Sequence, residues 1–154
     1  MDSKNKRILS DYRLNKARED LEASKLLYNN NLFSQSLNRS YYSIFHTVRA
    51  LIAYESLDFG KHSAIISYFN KNYINTNKLD RKYSKILMGA EKLRNKSDYN
   101  DFFIVAREDA YQQLTNAEEF ISIIDKYIDK NLRPLPWIFY WIKVVSRISF
   151  YGII

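Results

Sequence analysis

Residues 33–53 read FSQSLNRSYYSIFHTVRALIA, and whether this stretch is a strand or a helix decides the fold. Alternation with period two does not persist along it, whereas helical spacing does. At about 100° per residue, Phe33, Leu37, Tyr41, Ile44, Phe45, Val48, Leu51 and Ile52 fall within one arc of about 120°. That arc is the expected core face. Arg39, Tyr42, Ser43, His46, Arg49 and Ala50 fall on the opposite side. Arg39 and His46 are two turns apart and nearly in line, about 10 Å along the axis.

Outward from this segment the same periodicity recurs. A first helix is expected from about 11 to 29, with Leu14, Ala17, Leu21 and Leu27 near one face, and the Asn run at 29–31 as its turn. The 33–55 helix closes at SLDFG, 56–60, with Gly60 as the breaker. A third helix covers about 61–75, with Ile65, Ile66, Phe69 and Tyr73 inward. A fourth covers about 80–96 and is broken by SDYND at 97–101. A fifth runs from about 105 to 129, with Ala110, Leu114, Ala117, Ile121, Ile124 and Ile128 at helical spacing. The expected fold is all-α, an antiparallel up-and-down bundle of about five helices. The bundle is expected to occupy 1–131, followed by an apolar, Pro-delimited tail at 132–154.

Composition agrees. The chain has 154 residues, enough for one domain with a core, and only 3 Gly and 2 Pro, which favours long helices over many turns. It has no cysteine, so neither disulfides nor Cys-ligated zinc are available. Charges run through the first thirty residues without an apolar stretch, so no signal peptide is expected and the expected location is the cytoplasm. The net charge is +7, from 24 Lys+Arg against 17 Asp+Glu. Such a surface suits a polyanion such as RNA, and it equally describes an ordinary lysine-rich exterior. In the tail, residues 137–154 are mostly apolar but interrupted by Lys143 and Arg147. A full membrane span is not expected there; interfacial membrane contact, packing and no role at all are the alternatives.

His46 is one of only two histidines, and it lies off the apolar stripe, on a face shared with arginines. That face is either solvated or meets another surface, such as a second subunit or RNA. Histidine moves protons near neutral pH, and arginine stays charged and stabilises a phosphate oxyanion. Together such a pair could cleave RNA without a metal, by attack of the 2′-OH, although Arg and His seven apart also occur often by chance. Asn38, Tyr42, Ser43 and Arg49 share the segment as candidate binding or supporting residues. Further along, His62 is expected at the start of the third helix, either exposed or near a phosphate. Arg94 and Asp98 flank the SDY turn, where Asp98 either caps a helix end or holds Arg39 or His46 in place. No metal ligands and no cofactor are expected.

Four segments, NRSYYSIFH at 38–46, KHSAIISYF at 61–69, LRNKSDY at 93–99 and AEEF at 117–120, carry a family resemblance in order and approximate spacing. Over about residues 10–128 the chain resembles the HEPN-domain proteins, of the small stand-alone kind found in bacteria and archaea. The resemblance implies a compact helical bundle that dimerises and, in many members, a metal-independent ribonuclease with an arginine, four to six intervening residues, and a histidine. Carried over, Arg39 and His46 would be catalytic, with six residues between them. It also implies a toxin–antitoxin setting, in which a minimal nucleotidyltransferase is the antitoxin and RNA, often tRNA, the target. Where one toxin subgroup has a tyrosine modified by AMP, two residues after the histidine, this chain has Val48. The alternative implied by the same resemblance is a non-catalytic module that partners a nucleotidyltransferase or binds nucleotide or RNA, with Arg39 as an anion contact.

Overall fold

The computed structural model describes residues 2–133. The reading of 137–154 as membrane-contacting, and most of the proposed tail, lies outside the described residues. Within them the chain is all helical: α1 (Ser3–Asn29), α2 (Phe33–Ile52), α3 (His62–Phe69), α4 (Arg81–Tyr99) and α5 (Arg107–Asn131). A 3₁₀ turn (Ala53–Glu55) follows α2, and a π turn (Asn70–Ile74) follows α3. No described helix is long and apolar enough to cross a membrane.

The helix ends have local causes. α1 begins at Ser3, earlier than its apolar stripe indicates, because the Asp2 side chain accepts from the Lys4 amide and satisfies an orphan donor. Asp80 does the same for α4 through the Lys82 amide. The α2 extension ends at Ser56, which takes the left-handed conformation at φ 58°. Gly60, the expected breaker, has no positive φ, and a Cβ there would meet open space. α4 continues through Ser97 and Asp98 to Tyr99, so SDY is helical, not a turn, and Asp98 caps nothing.

Side-chain pairs fix the topology. Ser24 meets Ser36 and Ser40, Ala17 meets Ser43, and Arg13 meets Arg49, so α1 and α2 run antiparallel. Ser34 meets Ser97 and Tyr42 meets Arg94, which sets α4 antiparallel to α2. Arg18 to Asp125 and Lys25 to Glu118 set α5 antiparallel to α1. The bundle is thus up-and-down, with the short α3 across one end.

α2 lies at the centre, packed on α1, α5 and α4. Leu37, Tyr41, Ile44, Val48 and Leu51 are wholly buried, and each such side chain contributes about 1.5–3 kcal/mol of burial. Phe120 of α5 is wholly buried and meets Phe69 and Tyr83 with ring centroids at 5.9 and 5.7 Å. The face opposite the stripe is only partly open. Ser43 and Ala50 are buried, contrary to the wheel. Their small side chains let α1 approach, and the Ser43 hydroxyl donates to the Ala17 carbonyl at 2.8 Å. Along the same seam the Ser24 hydroxyl donates to the Ser36 carbonyl at 2.8 Å and lies 2.7 Å from the Ser40 hydroxyl. These groups are buried yet satisfied, so they incur no penalty for buried polarity.

Candidate functional site

Buried seam residues leave a narrow strip of α2 at the surface, and Arg39, Tyr42 and His46 occupy it. On α1 the buried stripe Leu14, Ala17, Leu21 and Ser24 includes an acid, Asp20, only 8% exposed. Antiparallel packing aims it between Arg39 and His46. Arg39 Nη1 donates to Asp20 Oδ1 at 3.0 Å, and His46 Nδ1 lies 2.9 Å from Asp20 Oδ2. One carboxylate therefore holds both groups. A carboxylate only accepts, so Nδ1 carries the proton in this pair and Nε2 is the free ring nitrogen.

Arg39 is further fixed by Asn38, whose Oδ1 accepts from Nη2 at 3.1 Å, and by Tyr42, whose ring lies 4.9 Å below the guanidinium. Arg94 of α4 approaches from the other side. Its Nη2 donates to the Tyr42 hydroxyl at 3.3 Å, and its guanidinium stands 5.7 Å from the rings of Tyr41 and Tyr42. Arg94 Nε lies 2.8 Å from Asp98 Oδ2, an ion pair without the angle of a hydrogen bond. Asp98 also accepts weakly from Asn38 Nδ2, at 3.4 Å to each oxygen. The carboxylate that holds Arg39 and His46 is thus Asp20, while Asp98 reaches them only through Asn38 and Arg94.

The remaining predicted residues stand apart. Ser43 is sealed in the α1–α2 seam. Arg49 donates through Nη2 to both oxygens of Asp58, at 3.0 and 3.3 Å, and Arg13 of α1 donates to Asp58 Oδ2 at 3.0 Å. Burial would raise the Asp58 carboxyl, but these two guanidinium groups outweigh it and hold it below the ordinary range. His62 is indeed at the start of α3 and exposed. Its ring lies on Phe45 with centroids 4.1 Å apart, and its Nδ1 is 3.1 Å from the Tyr41 hydroxyl. Burial, followed by the charge of Arg94, pushes His62 below the usual imidazole value. Among the described residues, no three His, Asp or Glu side chains converge as a metal site.

Asp20 was missed from sequence. Its signal was an acid within the apolar spacing of the first helix, read there for hydrophobic residues alone.

The HEPN domain profile matches residues 10–127. The chain belongs to the HEPN-domain family. The HEPN match takes in α2, α3 and α4 whole and most of α1 and α5, and every residue of the Asp20 cluster falls inside it. Among curated relatives, a protein of Thermotoga maritima named UPF0332 protein is 32% identical over 124 residues, covering 80% of this chain and 94% of its own. A protein of Methanocaldococcus jannaschii named "Putative toxin" is 33% identical over 120 residues, covering 77% of this chain and 82% of its own. A second protein of that organism with the same name is 32% identical over 116 residues, with 75% and 86% covered.

Proposed function

We propose that this HEPN protein is a toxin-like, metal-independent endoribonuclease, with tRNA as a candidate target. The observation that carries the reading is the shared Asp20 carboxylate, which sets Arg39 and His46 side by side on a half-open strip. A phosphodiester seated there meets the Arg39 guanidinium, which stabilises charge building on the nonbridging oxygens. The ribose 2′-oxygen attacks the adjacent phosphorus as its proton leaves, and the 5′-oxygen departs with a proton. His46, through its free Nε2, serves one of these two transfers. The products are a 2′,3′-cyclic phosphate and a 5′-hydroxyl. Asp20 holds the imidazole by one nitrogen and so presents the other, while Asn38 and Tyr42 keep Arg39 from swinging away.

The working unit is proposed to be a homodimer. Support comes from the α4–α5 connection next to Asp98, where Tyr99, Phe102 and Ile104 are 79, 96 and 88% exposed. Apolar side chains so open fit a protein contact, either a second copy or a minimal nucleotidyltransferase antitoxin.

A non-catalytic reading has one observation in its favour: Asp20 and Asn38 already engage Arg39, as in a structural ion pair. One experiment separates the two. Purified protein is incubated with total tRNA in EDTA beside Arg39→Ala and His46→Ala, each checked for fold and oligomeric state. Cutting by the wild type alone, with cyclic phosphate ends, is expected. Equal cutting by all three, or none by any, removes the catalytic reading. Copurification with a neighbouring nucleotidyltransferase then tests the binding module.

A further inference from the structure

A second feature lies one helical turn beyond His46 and outside the Asp20 cluster. Between the end of α2, the 56–61 connection and the start of α3 is an open cleft of about 340 Å³, lined by Phe45, Arg49, Asp58, Phe59 and His62. That volume falls in the range of about 300–1,000 Å³ usual for small-ligand sites. Phe45, which lines the cleft, is adjacent to His46, with ring centroids 6.3 Å apart.

Its walls have a definite chemistry. Tyr41 and Phe45 stack at 5.8 Å and 23°, and the His62 ring lies against both, 4.1 Å from the Phe45 centroid and 6.3 Å from that of Tyr41. The His62 residue is exposed, so its outer face is open to a further flat group. The Tyr41 phenol is wholly buried, and among the described residues its hydroxyl pairs with His62 Nδ1 alone, at 3.1 Å. A buried hydroxyl donates where an acceptor exists, so Nδ1 accepts and His62 carries its proton on Nε2. Partial burial, followed by Arg94, disfavours the charged imidazole, and the Tyr41 hydroxyl orients the ring. At the other wall, the Asp58 side chain is 59% exposed while Arg13 and Arg49 keep it charged and in place. A carboxylate offers about four acceptor positions. The three arginine contacts, at 3.0, 3.0 and 3.3 Å, leave one toward the open side.

We propose that this cleft is a nucleobase subsite of a single-stranded RNA, with the base stacked on the outer face of His62 and its exocyclic amino group donating to Asp58. It rests on the RNA reading above for its ligand, but not on cleavage. Single-stranded nucleic acid is read by such means, a stacking platform for the ring and hydrogen bonds to the base edge. The Asp58 acceptor discriminates. Cytosine presents an amino group where uracil, otherwise alike in shape, presents a carbonyl oxygen that the carboxylate repels.

The test is titration of the full chain with cytidine 3′-monophosphate and uridine 3′-monophosphate, followed by NMR. The two histidines give two imidazole signals, assigned with His62→Ala. Cytidine monophosphate is expected to shift the His62 signal and to bind about 5-fold or more tightly than uridine monophosphate. His62→Ala should weaken both about 10-fold. Asp58→Asn, whose amide also donates, should erase the difference between them. Should Asp58→Asn fail to fold, the wild-type and His62→Ala titrations still decide. Equal binding of the two nucleotides, or binding that leaves His62 unmoved, overturns the proposal. Because the readout is binding, a protein that cuts no RNA still tests it. Cleavage without cytosine preference would fail this subsite and spare the ribonuclease reading.

Discussion

Replacing Asp20 by Asn removes one charge while keeping the side chain's shape, and the structure fixes what should follow. The carboxylate now accepts from two donors, Arg39 Nη1 at 3.0 Å and His46 Nδ1 at 2.9 Å. An amide has one oxygen. It can accept from one of the two, and its NH₂ then faces the other donor. Arg39 keeps its charge and competes better for the oxygen, so the Asn Nδ2 donates to His46 Nδ1 and the ring proton moves to Nε2. The free nitrogen changes from acceptor to donor, and the imidazole loses its anchor as a base. The stability cost is bounded by exposure. The Asp20 side chain is 11% exposed, but those of Arg39 and His46 are 41 and 23% exposed, so water recovers part of each lost bond. Exposed pairs are worth about 0–1 kcal/mol, and breaking buried ones costs about 3–5 kcal/mol. About 1–2 kcal/mol is therefore expected, or a fall in Tm of about 3–8 °C. RNA cleavage should fall about 100-fold or more, because the reacting groups are misaligned rather than removed. The assay pairs thermal unfolding with cleavage of tRNA in EDTA. An Asp20→Asn protein that cuts at the wild-type rate, while His46→Ala is dead, would refute the assignment of Asp20 as the positioning residue.

Ser24→Ala strips a wholly buried hydroxyl from the α1–α2 seam and leaves the Ser36 carbonyl and Ser40 hydroxyl short of a partner; a loss of about 1–3 kcal/mol in urea unfolding is expected. Phe120→Ala empties the site between Phe69 and Tyr83 and should cost about 3–5 kcal/mol; a cost below 1 kcal/mol would mean that the α5 aromatic is not packed as described. His62 is held below its ordinary 6.5 by burial and Arg94, with Arg49 and His46 adding to this and Glu91 opposing it. Below that pH the unfolded chain takes up a proton that the folded one resists. Its contribution to stability is therefore complete above 6.5 and declines as pH falls toward the folded value. His62→Gln should flatten that part of the stability profile between pH 7 and 5, measured by denaturant midpoint.

Much of the bundle was legible because α2 and α5 carry apolar residues at helical spacing without Gly or Pro to interrupt them. Helix ends were less so. Asp2 capping α1 and Ser56 adopting φ 58° are decided by a hydrogen bond and a single backbone angle, neither of which periodicity encodes. The helical wheel misassigned Ser43 and Ala50, since burial of a small residue depends on which helix lies against it. Arg39 and His46 were legible as a pair from spacing and resemblance. Their joint acceptor was not, because Asp20 meets them only once α1 folds back on α2. Asp98, read either as a helix-end cap or as the carboxylate holding Arg39 or His46, pairs instead with Arg94.

The cluster's three members lie at 20, 39 and 46, all within the first hairpin. On a ribosome the amino-terminal part of a chain emerges first, and contacts close in sequence form with the least loss of chain entropy. The hairpin's seam of small, mutually satisfied residues lets its two helices meet before α3, α4 and α5 exist to cover them. The Asp20–Arg39–His46 arrangement is thus a single inheritable cassette, drafted locally and then sealed by the later helices.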